Sequence, residues 1–400
     1  MSGCVSVELL LLVVILCVVF GQSLRITLAP HIGIESHSHL GAIADPQTMR
    51  DSLNPFDSNV KNVKFAIFGG GAFSLAMAKV LSYKNIPSCL LVRTKEVADH
   101  INKYHVHPKY LSDLQLPMQV TATEDFDAVL VGATHIIHAV PMQQSRSFLM
   151  NVKSKIPLHI PILSVTKGVE QEKFGLMSDL ISETLGVDRR TAYLSGPSFA
   201  REIMSGLATA VVIASTDDDL ANELSVMLSS VAFRCHTSPD VKGVELAGAM
   251  KNVIALAAGM CEGLGLGMNA QSSLITRGCI EMGRLGALLG ADQETFGGLA
   301  GVGDTFGTCL GPLSRNRQVG VRLAKGEALD EIIKNLDGVS EGVLTSVALE
   351  KLIKTKVKPS ICEMKFPIIS GVASIIRGNI TPEYGLRLLM QYPLRDENPY

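Results

Sequence analysis

Lys251 is the residue of this sequence with the clearest chemical consequence. It interrupts Val244-Glu245-Leu246-Ala247-Gly248-Ala249-Met250-Lys251-Asn252, a stretch that is otherwise mostly apolar or small on both sides. A lysine drawn into such surroundings is costly unless it is neutral or paired, and either state suits a general base. A lysine that snorkels to the surface would leave the same trace.

Four further segments place polar groups together. Ser164-Val165-Thr166-Lys167-Gly168 puts Lys167 directly after an apolar strand, where ligands bind in open α/β sheets, although a solvated loop lysine fits the same pattern. Leu194-Ser195-Gly196-Pro197-Ser198-Phe199-Ala200 is dense in hydroxyls and turn residues. Gly301-Val302-Gly303-Asp304-Thr305 sets a carboxylate in a glycine-flanked turn. Ser314-Arg315-Asn316-Arg317 aligns hydroxyl, guanidinium and amide donors ahead of a helical stretch, which suits a phosphate. An N-cap followed by exposed arginines is the commoner use of that tetrapeptide.

The remaining chemistry lies at Gly69-Gly70-Gly71-Ala72-Phe73-Ser74, which follows the strand Lys64 to Phe68 and opens a helix. This G-x-G-x-x-Ser pattern is that of a diphosphate cradle: Gly69 allows the tight turn, Gly71 admits close backbone approach, and the helix N-terminus offers free amides. A plain strand-helix turn would need no more than this. Ser74 replaces the third glycine, whose role is helix-strand packing. At the end of the second strand, an acid would bind the ribose 2′-hydroxyl of NAD, but the sequence reads Leu91-Val92-Arg93-Thr94-Lys95. Arg93 fits adenine stacking or a 2′-phosphate, leaving NADP open beside NAD, and it also fits a plain surface charge.

Short apolar strands alternating with amphipathic helices are needed to position these groups. Helices are expected over Ala72 to Tyr83 and Thr94 to Asn102, with Asn85 to Pro87 as a break. Strands are expected at Cys89 to Val92, His135 to Ala139, Ile162 to Val165 and Ala208 to Ala214. After Pro239 the pattern turns helical, over Val241 to Gly263, Ser272 to Leu289 and Leu344 to Thr355. The expected plan is α/β, with a Rossmann-like doubly wound parallel sheet over 61–238, then an all-helical substrate and catalytic domain over 239–400. The long apolar helices also suggest burial against a second copy, as a homodimer.

The chain has 400 residues, 47% of them hydrophobic and 18% charged, enough for two buried cores. Its formal net charge of -2 and lack of a basic cluster exclude general nucleic-acid binding. Eight scattered cysteines form no CxxC pair and no zinc-type spacing, so no metal is expected and most thiols should be buried and free. Residues 1–60 read as a leader and linker. Leu9 to Phe20 is apolar over a signal-peptide length, although no Lys or Arg precedes it and Glu8 lies at its edge. A signal followed by a weakly patterned stretch suits import into a plastid surrounded by extra membranes. An uncleaved anchor, which would be the chain's membrane contact, or a misassigned start fits equally, leaving a cytoplasmic or endomembrane location open.

Together, Gly-Gly-Gly-Ala-Phe-Ser-Leu-Ala-Met-Ala from Gly69, Thr166-Lys167-Gly168, Leu-Ser-Gly-Pro-Ser-Phe-Ala-Arg-Glu from Leu194, Lys-Asn-Val-Ile-Ala from Lys251, Asn269-Ala270-Gln271, Thr276-Arg277-Gly278, Gly-Val-Gly-Asp from Gly301 and Ser-Arg-Asn-Arg from Ser314 resemble NAD(P)-dependent glycerol-3-phosphate dehydrogenase. The likeness runs in order from about Lys64 to Thr381. It implies interconversion of sn-glycerol 3-phosphate and dihydroxyacetone phosphate, with Lys251 as proton acceptor and Lys167 and Asp304 beside it as the catalytic and substrate-facing group. It further implies Ser314, Arg315 and Asn316 on the substrate phosphate, and Gly196 and Ser198 with Lys167 on the glycerol moiety. For the cofactor it implies Ala72, Phe73, Arg93 and Ala200 along with Gly69, Gly71, Ser74, Lys167 and Arg315, with Val339 and Glu341 toward the nicotinamide. Thr305 departs from the aliphatic residue the family usually has after the aspartate.

Two rival readings share the two-domain plan. One is another hydroxyacid or hydroxyacyl dehydrogenase, since a fold alone names no substrate. The other is a non-catalytic NAD(P)-binding sensor, against which Lys167, Lys251 and Asp304 argue together.

Overall fold

The computed structural model describes residues 62–336 and 340–391. The leader and Val339 lie outside them.

β1 (Phe65–Phe68) is buried at all four positions, because a central strand covered on both faces has no solvent side. It pairs in parallel with β2 (Ser88–Leu91) on one side and β4 (His135–His138) on the other. β3 (Val120–Thr123) extends the β2 side. β5 (Ile162–Ser164) and β6 (Thr191–Ser195) continue in parallel beyond β4. β7 (Thr209–Ala214) and β8 (Phe233–Ser238) complete the order 3-2-1-4-5-6-7-8. The chain crosses over between β3 and β4, so the sheet changes winding direction beside β1, at the end of which the glycine turn lies.

The expected parallel sheet holds for the first six strands only. β7 runs antiparallel to β6, and β8 is parallel to β7. The connection from β6 carries only the short helix Ala200–Met204, which packs along the helix Ala72–Ser82. The chain therefore re-enters the sheet from the same strand end at which it left. Asn85, with φ 54, forms the expected break after the first helix.

No strand follows Ser238 among the described residues. Asp240 caps the helix Val241–Gly263 by accepting from the Gly243 amide at 2.9 Å. This helix is apolar around most of its circumference, the mark of a core element. It is long and apolar enough to cross a membrane, yet 94% of its apolar window is buried inside the protein. Its apolar length is thus used within the chain. The helices Gly267–Leu289, Arg315–Ala324 and Glu341–Lys356 pack around it. Contact with Arg315–Ala324 is backbone to backbone: a β-carbon on Gly259 would sit 2.1 Å from the Arg317 carbonyl oxygen, and one on Gly320 would sit 2.1 Å from that of Leu256. That approach brings the Ser314 cluster against the helix that carries Lys251, where Asn316 meets Asn252.

Candidate active site

At the β1 end, Gly69 has φ +122, and a side chain there would meet the Ala139 carbonyl oxygen at 2.9 Å. Gly71 differs: a β-carbon on it would have no protein atom within 4 Å. Gly71 precedes the helix Ala72–Ser82, which has no side-chain cap and no acidic residue in its first turn. The amides of Ala72, Phe73 and Ser74 belong to the first turn at the positive end of this helix, where helical geometry leaves them without an intrahelical partner. Ser74 is buried, and its hydroxyl has no hydrogen-bond partner among the described residues. These features fit the diphosphate of a dinucleotide. Arg93 is exposed past β2 and donates to Gln144 Oε1 at 3.2 Å, while Ala200 lies half-buried against the sheet core.

Past β5 the chain presents Lys167, whose Nζ donates to Asp304 Oδ2 at 2.8 Å and lies 3.5 Å from the Gly196 carbonyl. Lys251, 8% exposed, donates to the other carboxylate oxygen of Asp304 and to Thr308 Oγ1 at 3.0 Å. Asp304 begins the helix Asp304–Leu310, so Thr308 stands one turn on and closes the set by donating to Oδ1 at 3.2 Å. Gly248, one turn before Lys251, makes room for this arrangement: a β-carbon there would come within 2.8 Å of Ser195 Oγ and 3.4 Å of Lys167 Cδ. Ser198 turns its hydroxyl onto the Gly196 carbonyl at 2.8 Å.

Burial, reinforced by the nearby Lys167 ammonium, pushes Lys251 down to about 8 against the pull of Asp304. Burial alone would raise Asp304, but the two ammonium groups overcome it and hold the carboxyl below its usual range. Glu341, at the head of its helix, is pushed up to about 7 by burial, opposed by Arg315 and by a hydrogen bond from the Met142 amide. Arg315, Glu341, Lys167 and Lys251 therefore share one electrostatic neighbourhood.

In the Ser314 cluster, only Arg315 has an exposed side chain. Ser314 is buried and caps its helix, accepting from the Arg317 amide at 3.3 Å. Asn316 is also buried, donating to Asn252 Oδ1 at 2.9 Å and accepting from Ser340 Oγ at 2.7 Å and the Gly342 amide at 3.0 Å. Only one of its amide hydrogens is left for a ligand. Thr305, the departure from the family pattern, is fully buried and donates to the Gly301 carbonyl at 2.7 Å, so its hydroxyl costs the core little.

Thr308 and the role of Asn252 were not legible in the sequence. Asp304 read as a turn residue, whereas the Leu299–Gly303 π-turn runs straight into a helix there. Had the helix been recognised, the i,i+4 spacing would have pointed to Thr308.

Comparison with known proteins agrees with this geometry. A model of the NAD-dependent glycerol-3-phosphate dehydrogenase N-terminus matches residues 64–221, and one of the C-terminus matches residues 240–387. The glycerol-3-phosphate dehydrogenase [NAD(P)+] of Nitratidesulfovibrio vulgaris is 41% identical over 336 residues, 84% of this chain and 100% of that protein. The chloroplastic glycerol-3-phosphate dehydrogenase [NAD(+)] 2 of Arabidopsis thaliana is 41% identical over 337 residues, 84% of this chain and 79% of that protein. A crystal structure of glycerol-3-phosphate dehydrogenase from Coxiella burnetii superposes with TM-score 0.77 at 32% identity, covering 82% of this chain and 99% of that one. With two family models spanning most of its length and its sheet and glycine turn in place, the chain belongs to the NAD(P)-dependent glycerol-3-phosphate dehydrogenase family.

Proposed function

We propose that the chain interconverts sn-glycerol 3-phosphate and dihydroxyacetone phosphate, with Lys251 taking and returning the proton of the C2 oxygen. The observation that carries this reading is the buried Lys251–Asp304–Lys167 arrangement, in which one carboxylate serves two ammonium groups and Lys251 sits near about 8. A base that releases its proton close to neutrality can work in either direction. When bound at the glycine turn, the dinucleotide supplies or accepts the hydride at C2. Lys251 removes the hydroxyl proton as the C2 carbonyl forms, and in reverse protonates the oxygen. Asp304 orients Lys251, and Lys167 faces the same oxygen from the β5 side. Arg315 and the first amides of its helix supply the positive end for the substrate phosphate.

The direct test is absorbance at the reduced-nicotinamide band with dihydroxyacetone phosphate and each cofactor. Replacing Lys251 by Ala should lower kcat by about 10²–10⁴-fold while the protein stays folded. Near-normal turnover in that variant would remove Lys251 from the proposed role. The same assay, run with NADH and NADPH, tests whether Arg93 favours a 2′-phosphate.

For location we propose the plastid, on the apolar leader and the two chloroplastic relatives. Fractionation of the tagged full-length protein tests this, and an unprocessed product confined to the cytosol would refute it.

A further inference from the structure

Lys167 belongs to a loop that is held from three directions. Gly168 turns the chain at φ +126. Val169 then enters the core of the helical part, fully buried. Glu170 turns back to the helix Met142–Val152, which follows β4, and is 4% exposed. There Arg146 grips it with two parallel bonds, Nε to Oε1 and Nη2 to Oε2, the latter 2.7 Å long. Arg146 uses its remaining nitrogen on Glu183 Oε2 at 2.9 Å, so the guanidinium is fixed in its plane. Gln143, one turn earlier, donates to the Val169 carbonyl at 2.8 Å and accepts from the Gln171 amide at 3.0 Å. The loop closes on itself through the Glu170 amide to the Gly175 carbonyl at 3.0 Å.

We infer that Arg146 and Glu170 are positioning residues for Lys167: their forked ion pair fixes the β5 loop so that the Lys167 ammonium meets Asp304 across the boundary between sheet and helices. This rests on the reaction and roles proposed above. Three peptide units separate Glu170 from Lys167, and one of the intervening residues is locked in a core, so a shift at Glu170 passes to Lys167 with little slack. A planar guanidinium-carboxylate fork restrains direction as well as distance, and a lysine in place of Arg146 would keep the charge while losing the plane.

The groups facing Lys251 define the readout. Asp304 and Cys309 face it from the helix Asp304–Leu310, Lys167 from the β5 loop and Glu341 from the helix Glu341–Lys356. Displacing Lys167 removes a neighbouring positive charge and leaves Asp304 to Lys251 alone. Both effects raise the pH at which Lys251 becomes neutral.

The experiment compares Arg146→Lys, Glu170→Gln and Gln143→Ala with Lys167→Ala in the full-length protein, measuring melting temperature, kcat, KM and the pH dependence of glycerol 3-phosphate oxidation. Arg146→Lys and Glu170→Gln should each lower kcat on the order of 10-fold with a smaller change in KM. Each should move the rising limb of the pH profile upward, in the direction set by Lys167→Ala. The double variant should be no worse than the more damaging single. Gln143 is exposed, so Gln143→Ala keeps the fold and should move the limb the same way by less. A lowered melting temperature with an unmoved limb would make the pair merely structural and overturn the inference. So would wild-type kinetics in both clamp variants. If Lys167→Ala itself left rate and limb unchanged, the failure would lie in the proposed catalytic arrangement.

Discussion

Lys167 donates to Oδ2 of Asp304 and leaves Oδ1 to Lys251, so the two lysines divide one carboxylate between them. A single buried negative charge cannot neutralise two positive ones. The cluster is most comfortable when one lysine is neutral, and Lys251, the more deeply buried, is the one that gives way. Below about 8 it is charged and ready to donate a proton; above about 8 it is neutral and ready to accept one. Glycerol 3-phosphate oxidation should therefore rise as pH passes through this range, while dihydroxyacetone phosphate reduction should fall. Rate profiles in both directions at saturating substrate check this, and parallel profiles would contradict it.

Opposite shifts are expected from the two partners. Replacing Asp304 with Asn removes the attraction holding the Lys251 proton, so the oxidation limb should move to lower pH. Replacing Lys167 with Met removes a repulsion and should move it to higher pH, each by on the order of one unit. Both variants should also lose turnover, so the limb position is the informative quantity. Shifts of the same sign would disprove the shared-carboxylate account.

Gly71 and Gly69 should separate cofactor binding from folding. A β-carbon on Gly71 enters space that holds no protein atom, and its φ of -77 suits any residue. Gly71→Ala should leave stability within about 0.5 kcal/mol of wild type while raising the KM for the nicotinamide cofactor. Gly69→Ala should lower stability as well, since it is strained by its φ of +122 and by the Ala139 carbonyl. Thermal melts with and without NAD(P)H measure both effects.

At Gly248, an alanine would press on Ser195 Oγ and the Lys167 side chain. Overpacking of this kind costs about 1–3 kcal/mol. Ser195 Oγ, at 2.8 Å, is the atom that must shift, and the Lys167 side chain lies next to it at 3.4 Å, so Gly248→Ala should also reduce kcat; a melt paired with a turnover assay shows whether both change.

Much of this was readable along the chain. The glycine turn, the apolar strand before it and the isolation of Lys251 in an apolar helix depend on local spacing, which sequence records directly. β3, β6 and β8 have no counterpart among the strands expected from the sequence. Val-Thr-Ala-Thr at 120–123 is too short and polar to stand out, and Thr191 to Ser195 merges with the hydroxyl-rich turn that follows. Nor does any local pattern record that β7 reverses direction. The Arg146–Glu170 fork joins a helix to a loop 24 positions away, a contact made only by tertiary folding. Ser314 shows the converse: the same donors suit a phosphate or a cap, and burial assigns its hydroxyl to the cap.

The helix Val241–Gly263 carries Lys251, the glycine packed against Ser195 and Lys167, and the asparagine that receives Asn316, and it is buried along nearly its whole length. Its interior amides can meet solvent only when the molecule opens as a whole, so their hydrogen exchange should follow global unfolding and not local fraying. The proposed proton acceptor and the most protected part of the backbone therefore share one cooperative unit.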